Sequence, residues 1–183
     1  MFPGLQLKKR MDLFSVSIES ARLVQIPIEQ HYSKNIFEHF TGEITRYMYP
    51  KPPVDLDETE RLVSYSIRDL ENGTDLQLVI LDKNSREFLG CSGLHHLKAS
   101  IPELGIWLKK EAQLKGYGPE AIEAMVTWAR RNMHFKALKY PVDRRNIASK
   151  RIPERLGAVP VKEYKKMNLG GELLDEIEYW IYY

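Results

Sequence analysis

Residues 113–118, Gln-Leu-Lys-Gly-Tyr-Gly, have the composition and spacing of a phosphate-binding turn. Gly116 and Gly118 stand one residue apart, and because neither has a Cβ, the backbone there can turn tightly and approach a ligand closely. Helical periodicity begins directly after them, so free N–H groups and the positive end of the helix dipole are expected to converge on the turn. A pyrophosphate suits such a site. The alternative is a loop that only caps a helix, because Gly-x-Gly alone is a weak signal.

Three ionisable side chains that precede the turn are suited to proton transfer. Glu103 begins the strand that leads toward the turn, and His95 and His96 end the strand before it. A histidine changes charge near neutral pH, and consecutive strand residues point to opposite faces, so one of the two histidines is expected to face outward. The alternative for each residue is a solvated or structural side chain. Cys91, which has no recognisable triad around it, is expected to be a packing residue.

Hydrophobic periodicity around these residues predicts a mixed α/β or α+β chain, with strands before, between and after helices. Asp55 and Glu58 have the spacing of a capping box at the start of a long helix. Pro153 falls inside the last helix, where an interior proline costs ~3 kcal/mol unless the helix starts late or kinks. We expect helices at residues 31–40, 56–72, 116–133 and 148–156, and strands at residues 22–28, 76–81, 87–97, 103–108, 137–142, 159–167 and 172–182.

Length and composition exclude several classes of protein. A chain of 183 residues with 43% hydrophobic and 28% charged residues fits one globular domain. A single cysteine excludes an internal disulfide framework and a Cys-rich zinc site, and we expect no metal. No run approaches ~18 apolar residues and no secretory signal is recognisable, so a soluble cytoplasmic protein without a membrane partner is expected. The net charge of +2 gives no argument for nucleic acid.

The charges are nevertheless unevenly distributed along the chain. Residues 130–157 hold nine Lys or Arg against two acids, and residues 54–82 hold eight acids against two Arg. Most of these side chains, taken singly, are expected on solvated helix faces. Taken together, the basic segment suggests an anionic ligand near the C-terminal half, and the acidic segment suggests attraction of a cationic partner.

A dinucleotide-binding oxidoreductase is one enzyme class that this turn allows. Gly116-x-Gly118-x-x-Ala121 satisfies a relaxed Rossmann fingerprint, and Asp143 ends the next strand about where a ribose-binding acid is expected. The Rossmann turn follows its strand almost at once, however, whereas seven residues separate Leu108 from Gly116. The long segment between strand and turn therefore argues against the dinucleotide interpretation.

Gln113-x-x-Gly116-x-Gly118 resembles the acyl-CoA signature Gln/Arg-x-x-Gly-x-Gly/Ala of the GNAT superfamily of N-acetyltransferases. The preceding strand at residues 103–108 and the following Glu120-Ala121 pair are similar to the family's segments on either side of that signature.

A second segment strengthens this resemblance. Asn146-Ile-Ala-Ser149, followed by Leu156-Gly157, is similar to a downstream segment typical of the Rim-type branch, which contains ribosomal-protein and small-amine acetyltransferases. The combined pattern is far more specific than any one piece. We accordingly divide the chain into an N-terminal extension, residues 1–17, and a GNAT domain, residues 18–183.

The resemblance implies a mixed, mostly antiparallel central sheet that is splayed at the cofactor site and has helices on both faces. It implies direct transfer of an acetyl group from acetyl-CoA to a primary amine, either a protein N-terminus or a small-molecule amine. A non-catalytic CoA-binding or interaction module of the same fold is the alternative. Whether the chain forms a homodimer stays open, since residues 179–183 suit either a core strand or a dimer contact.

The resemblance also assigns roles to individual residues. The implied base is Glu103, with His95 and His96 as alternatives, and Ser149 is implied to protonate the leaving thiolate. The edge of the strand at 106–108 is implied to hold the pantetheine arm and to donate an N–H to the thioester oxygen. Lys109, Lys110, Lys115 and the basic segment are candidates for the 3′-phosphate. The implied cofactor-binding residues are Ile106, Trp107, Leu108, Gln113, Leu114, Lys115, Gly116, Tyr117, Gly118, Asn146 and Ser149.

Overall fold

One mixed sheet of eight strands forms the centre of the protein, in a computed structural model that describes residues 12–183. The strands follow the order β1-β2-β3-β4-β5-β6-β8-β7 across the sheet, and every described neighbour pair is antiparallel except β5 and β6. The strands are β1 (Ile18–Glu19), β2 (Leu23–Pro27), β3 (Leu76–Asp82), β4 (Phe88–His95), β5 (Glu103–Leu108), β6 (Ala137–Asp143), β7 (Val159–Met167) and β8 (Leu173–Tyr182). The expected mixed, mostly antiparallel sheet is confirmed. A doubly wound dinucleotide fold needs a parallel sheet, so that interpretation is wrong.

Helices cover both faces of this sheet, as expected. They are α1 (Ser33–His39), α2 (Gly42–Thr45), α3 (Leu56–Asn72), α4 (Tyr117–Asn132) and α5 (Ile147–Arg155). On one face, Trp107 of β5 packs on Phe40 at the end of α1, with ring centroids 4.8 Å apart. On the other face, Gln25 of β2 donates a hydrogen bond to the Ala121 carbonyl of α4. Side chains of one strand therefore reach different helices according to their parity.

The sheet splays between β5 and β6. Within the described residues, a single register pair, Glu103 with Lys139, joins these two strands. The chain passes from β5 to β6 through α4, the crossover that a parallel pair requires. Because the strands then diverge, the edge of β5 from Leu104 to Leu108 faces a gap and not a partner strand. This gap is the position at which the functional site is expected.

Local signals explain where the long helices begin and end. Asp55 caps α3, since its Oδ1 accepts the Glu58 N–H at 2.7 Å, while the Glu58 carboxylate accepts the Val54 N–H at 2.6 Å. In a standard capping box, Glu58 would accept the N–H of Asp55; here it accepts the N–H of Val54, one residue earlier. Gly73 ends the helix with a left-handed φ of 63°. Pro153 lies in the last turn of α5, so few helical hydrogen bonds remain beyond the point where its N–H is missing.

Both ends of the chain contribute to the core. Leu13 and Val16 are 3% and 4% exposed and belong to the main hydrophobic cluster. Residues 1–11 of the predicted extension lie outside the described residues, and the boundary at residue 17 stays a prediction. At the other end, β8 lies between β6 and β7, so the C-terminal segment forms an interior strand.

None of the helices between residues 12 and 183 combines the length and the apolar character that a membrane span requires.

Candidate functional site

A cavity of about 810 Å³ opens at the splay between β5 and β6. It is lined by residues from both faces of the sheet, because the gap between the strands connects the two faces. Lys115 and Tyr117 do not line it. The other predicted catalytic and cofactor-binding residues do: Glu103, Ile106, Trp107, Leu108, Gln113, Leu114, Gly116, Gly118, Asn146 and Ser149.

The turn before α4 presents a row of unused backbone donors. In the part of the chain that the structure describes, the N–H groups of residues 114–118 have no hydrogen-bond acceptor, and the first bond of the helix runs from Glu120 to Gly116. Leu114 and Gly116 both have left-handed φ angles, 59° and 81°. Such alternating conformations point successive N–H groups into one concavity, which binds anions. The turn therefore fits the pyrophosphate of CoA.

Arg22, which the sequence analysis treated only as the start of a strand, holds this turn in place. Its Nη1 donates to the Lys115 carbonyl at 3.0 Å, and its guanidinium lies 4.5 Å from the centre of the Tyr117 ring. The Lys115 carbonyl and the Tyr117 ring are thus both partners of Arg22. The side chains of Lys115 and Tyr117 lie outside the cavity.

Glu120 is the second side chain that holds the turn in place, and it does so by binding Ser20 and Arg22. It accepts hydrogen bonds from the Ser20 hydroxyl at 2.7 Å, from the Arg22 N–H at 2.8 Å and from Arg22 Nε at 2.7 Å. Burial would raise the pKa of Glu120, but these bonds outweigh it and hold the pKa below its ordinary value. The carboxylate therefore stays ionised and fixes the first turn of α4 to the segment before β2.

Gln113 and Gly118 shape the floor of the turn. The Gln113 side chain donates to the Leu108 carbonyl at 3.1 Å, which ties the loop back to the end of β5. Gly118 is buried, and a Cβ there would lie 3.3 Å from Cδ1 of Ile152 and 3.8 Å from Cδ1 of Leu108. A larger side chain at position 118 would therefore push α4 away from α5 and β5.

Two hydroxyl groups face each other where α5 meets β6. Asn146 caps α5 by accepting the Ser149 N–H at 3.2 Å, and Ser149 Oγ lies 2.8 Å from Tyr140 Oη. Burial raises the pKa of Tyr140 to about 12, although the bond to Ser149 lowers it somewhat. Both hydroxyls therefore keep their protons at neutral pH. Tyr140 has no signal of its own in the sequence, because only the tertiary contact with α5 distinguishes it from other strand residues.

The basic residues near the turn are not all available to a ligand. Lys109 Nζ lies 2.6 Å from a Glu87 carboxylate oxygen and Lys110 Nζ lies 2.9 Å from one of Glu43. In contrast, Arg151 and Arg155 line the cavity without an ion-pair partner among the described residues; they and the exposed Lys115 remain candidates for the 3′-phosphate.

The predicted proton-transfer residues lie in different environments. Glu103 lines the cavity, and its Oε2 is paired with Lys139 Nζ at 2.8 Å. His95 also lines the cavity, whereas His96 is exposed, has a φ of 57° and does not line it. One histidine thus faces the site, but not because of strand alternation: β4 ends at His95, and His96 follows it with a left-handed φ. Cys91 is 1% exposed and burial raises the pKa of its thiol, which agrees with a packing role.

Aromatic and acidic side chains line the same face of the cavity. Tyr47 and Tyr49 lie at its wall, and Lys166 extends over Tyr49 with its ammonium 5.1 Å from the ring centre. That ammonium is 2.9 Å from Oε2 of the buried Glu176, without the alignment of a hydrogen bond. Both carboxylates on this face, Glu103 and Glu176, are therefore already paired with a lysine.

Comparison with known proteins agrees with this geometry. A family model described as the acetyltransferase (GNAT) domain matches residues 22–159. No curated protein matches the chain.

Solved acetyltransferase structures have the same fold. RimL, a ribosomal L7/L12 alpha-N-protein acetyltransferase in complex with coenzyme A, matches with a TM-score of 0.80 and 18% identity, covering 91% of this chain and 98% of its own. A Salmonella typhimurium acetyl transferase that modifies the N-terminal serine of ribosomal protein L7/L12 has a TM-score of 0.76 and 17% identity, covering 92% and 99%. A GCN5-related N-acetyltransferase from Brucella melitensis has a TM-score of 0.78 and 15% identity, covering 99% and 82%.

Proposed function

From the premise that this chain belongs to the GNAT acetyltransferase family and uses acetyl-CoA, we propose that it transfers the acetyl group directly to a primary amine. The acceptor is a protein N-terminus or a small-molecule amine. The observation that carries the proposal is one cavity that joins the unused N–H groups of residues 114–118 to the acidic and aromatic face beside Glu103.

Each part of acetyl-CoA has suitable residues in this cavity. The N–H groups of the turn would hold the pyrophosphate, and Arg151 and Arg155 would attract the 3′-phosphate. The open edge of β5 at Ile106–Leu108, together with Asn146, would hold the pantetheine arm. Acetyl-CoA supplies an activated acyl group, and a β5 N–H directed at the thioester oxygen would stabilise the negative charge that develops there.

The two proton transfers fall on opposite faces of the sheet. We call the face of the sheet that carries Glu103, His95 and Glu176 the acceptor face. The acceptor ammonium must lose a proton before it can attack, and Glu103 and His95 are the groups available on that face. The departing thiolate gains a proton, for which Ser149, hydrogen-bonded to Tyr140, is placed on the other face. Transfer through the gap in the sheet would keep these two sites apart.

The identity of the amine has two kinds of support. The Salmonella relative is described as acting on an N-terminal serine, which favours a protein N-terminus. The carboxylates Glu103 and Glu176 would suit any cationic amine that displaces their lysine partners, Lys139 and Lys166. A homodimer and a cytoplasmic location stay predictions.

Turnover tests the proposal. We would incubate the full chain with acetyl-CoA and a panel of peptides with free N-termini, polyamines and aminoglycosides, and measure released thiol and the mass of the product. Acceptor-dependent thiol release above background hydrolysis is expected. Tight CoA binding with no release across the panel would instead favour a non-catalytic CoA-binding module of the same fold.

A further inference from the structure

His95 lies flat on the sheet in a space that two glycines leave open. It pairs in register with Glu103, so both side chains are on the acceptor face. The position that a Cβ would take on Gly93 is only 2.6 Å from His95 Nε2, and the corresponding position on Gly105 is 3.1 Å from the same atom. The imidazole therefore occupies the places of two missing side chains, one on β4 and one on β5.

This location brings Nε2 to the strand that is assigned to the cofactor arm. Gly105 directly precedes the Ile106–Leu108 segment, whose edge is open along the gap. Within residues 12–183, no protein atom forms a hydrogen bond with Nε2, and the ring lines the cavity. An imidazole nitrogen without a protein partner is thus present beside the predicted acyl site.

Asp75 orients the ring from its other end. Its Oδ1 lies 3.0 Å from His95 Nδ1 and also accepts the His96 N–H at 3.3 Å. Burial would raise the pKa of Asp75, but these bonds outweigh it and hold the pKa below its ordinary value, so the carboxylate is ionised. A carboxylate at Nδ1 selects the tautomer in which Nδ1 carries the proton and Nε2 carries the lone pair.

Glu103, the other group available, is held differently. Its carboxylate is already paired with Lys139 at 2.8 Å, and taking up a proton would forfeit that ion pair.

We propose that His95 is the general base of the acetyl transfer and that Asp75 is the residue that positions it; this inference rests on the proposed function. His95 Nε2 takes one proton from the acceptor ammonium and passes it to solvent. The C–N bond then forms as the C–S bond breaks, the nitrogen loses a second proton, and the thiolate gains one. One proton is thus released for each amide and thiol formed.

The charges that face His95 set the pH dependence. Asp75, from the turn before β3, and Glu103, from β5 with its partner Lys139, are its neighbours. Helix α3 presents only non-titrating side chains to the cavity: Thr59, Leu62, Val63 and Ser66. The remaining charged residues of the cavity are Glu43, Arg46, Arg151, Arg155, Lys166 and Glu176.

Matched substitutions of the two adjacent histidines test the inference. His95→Asn is expected to lower kcat by about 10²–10⁴-fold and to remove the acidic limb of the kcat/KM profile, with CoA affinity unchanged. His96→Asn, at a left-handed position that asparagine tolerates, is expected to leave both quantities unchanged. Asp75→Asn is expected to lower kcat about tenfold with the KM for acetyl-CoA unchanged, since the ring loses the carboxylate that orients it.

The outcomes separate this inference from the proposed function. If the unsubstituted protein turns over an amine and His95→Asn retains the acidic limb while Glu103→Gln removes it, the inference is overturned and the proposed function stands. A second measurement needs no turnover: ¹⁵N chemical shifts of His95 should show a proton on Nδ1 and a lone pair on Nε2. The opposite tautomer would also overturn the inference.

Discussion

The two sides of the splay are built from different parts of the chain. On the α4 side, the site consists mainly of backbone donors within the short segment 114–118 and of the edge of one strand. On the acceptor side, the proposed chemistry depends on side chains from separate elements, with Asp75 before β3, His95 on β4 and Glu103 on β5. A site built from backbone N–H groups depends on a few consecutive residues and on where glycine is placed among them. A site built from side chains depends on which strands become neighbours in the sheet.

This difference explains what the sequence could predict. The strand β5 and the start of α4, which flank the predicted cofactor turn, were predicted from consecutive residues. The predicted strands and helices agree with the structure within a few residues at each end, but the short elements β1 and α2 were not predicted. Arg22 was missed because its partner Lys115 is 93 residues away. Asp75 and Tyr140 were missed because their roles depend on contacts with His95 and with α5 that no local pattern records.

Gly118→Val is expected to have the largest effect on CoA binding while leaving the acceptor side unchanged. The new side chain would collide with Ile152 and Leu108 and displace the donors of the turn, so CoA affinity is expected to fall about 100-fold or more, the equivalent of two charge-assisted hydrogen bonds. Isothermal titration with CoA measures this. Gly42→Val, where nothing lies within 4 Å of a Cβ, is the control. Normal CoA binding by Gly118→Val would place the phosphate site elsewhere.

Glu120→Ala tests whether side chains also support the backbone site. It removes three hydrogen bonds at one carboxylate and is expected to lower the free energy of unfolding by about 2 kcal/mol. Since the folded pKa is below its ordinary value of 4.5, this stabilisation is present above that pH and is lost as the pH falls through the folded pKa. Chemical denaturation at pH 7 and pH 3 measures it. The exposed Glu123→Ala should change neither value, and equal losses at both pH values for Glu120→Ala would contradict the ionic explanation.

Ser149→Ala tests whether the departing thiolate is protonated on the face of the sheet opposite Glu103 and His95. It is expected to lower kcat about tenfold, with little change in the KM for acetyl-CoA, because the amide that Asn146 caps is retained. Tyr140→Phe should have a similar effect, and the double variant should be no slower than the worse single variant, because the two hydroxyls act as one unit. Steady-state kinetics provides the check. Additive losses in the double variant would mean that the hydroxyls act independently.

Arg155→Gln gives the smallest expected effect and tests a side-chain contribution on the cofactor side. Loss of one solvent-accessible charge is expected to weaken CoA binding about fivefold, more at low salt than at high salt. Dephospho-CoA, which lacks the 3′-phosphate, should bind both proteins equally. Arg131→Gln, outside the cavity, is the matched control. An equal loss for CoA and dephospho-CoA would show that Arg155 does not contact the 3′-phosphate.

The single register pair between β5 and β6 has a consequence for how the protein holds together. Strands β1 to β5 form one antiparallel ladder, and β6, β8 and β7 form another. Among the described residues, the register pair Glu103–Lys139, the bonds from the Lys136 and Lys139 N–H groups to the Ser100 and Pro102 carbonyls, and the helices α4 and α5 join the two ladders. Each ladder is a natural cooperative unit of local opening. The proposed acetylation site therefore assembles only when both ladders have docked. The rate of amide hydrogen exchange near Glu103 and Lys139 would report the free energy of separating β5 from β6.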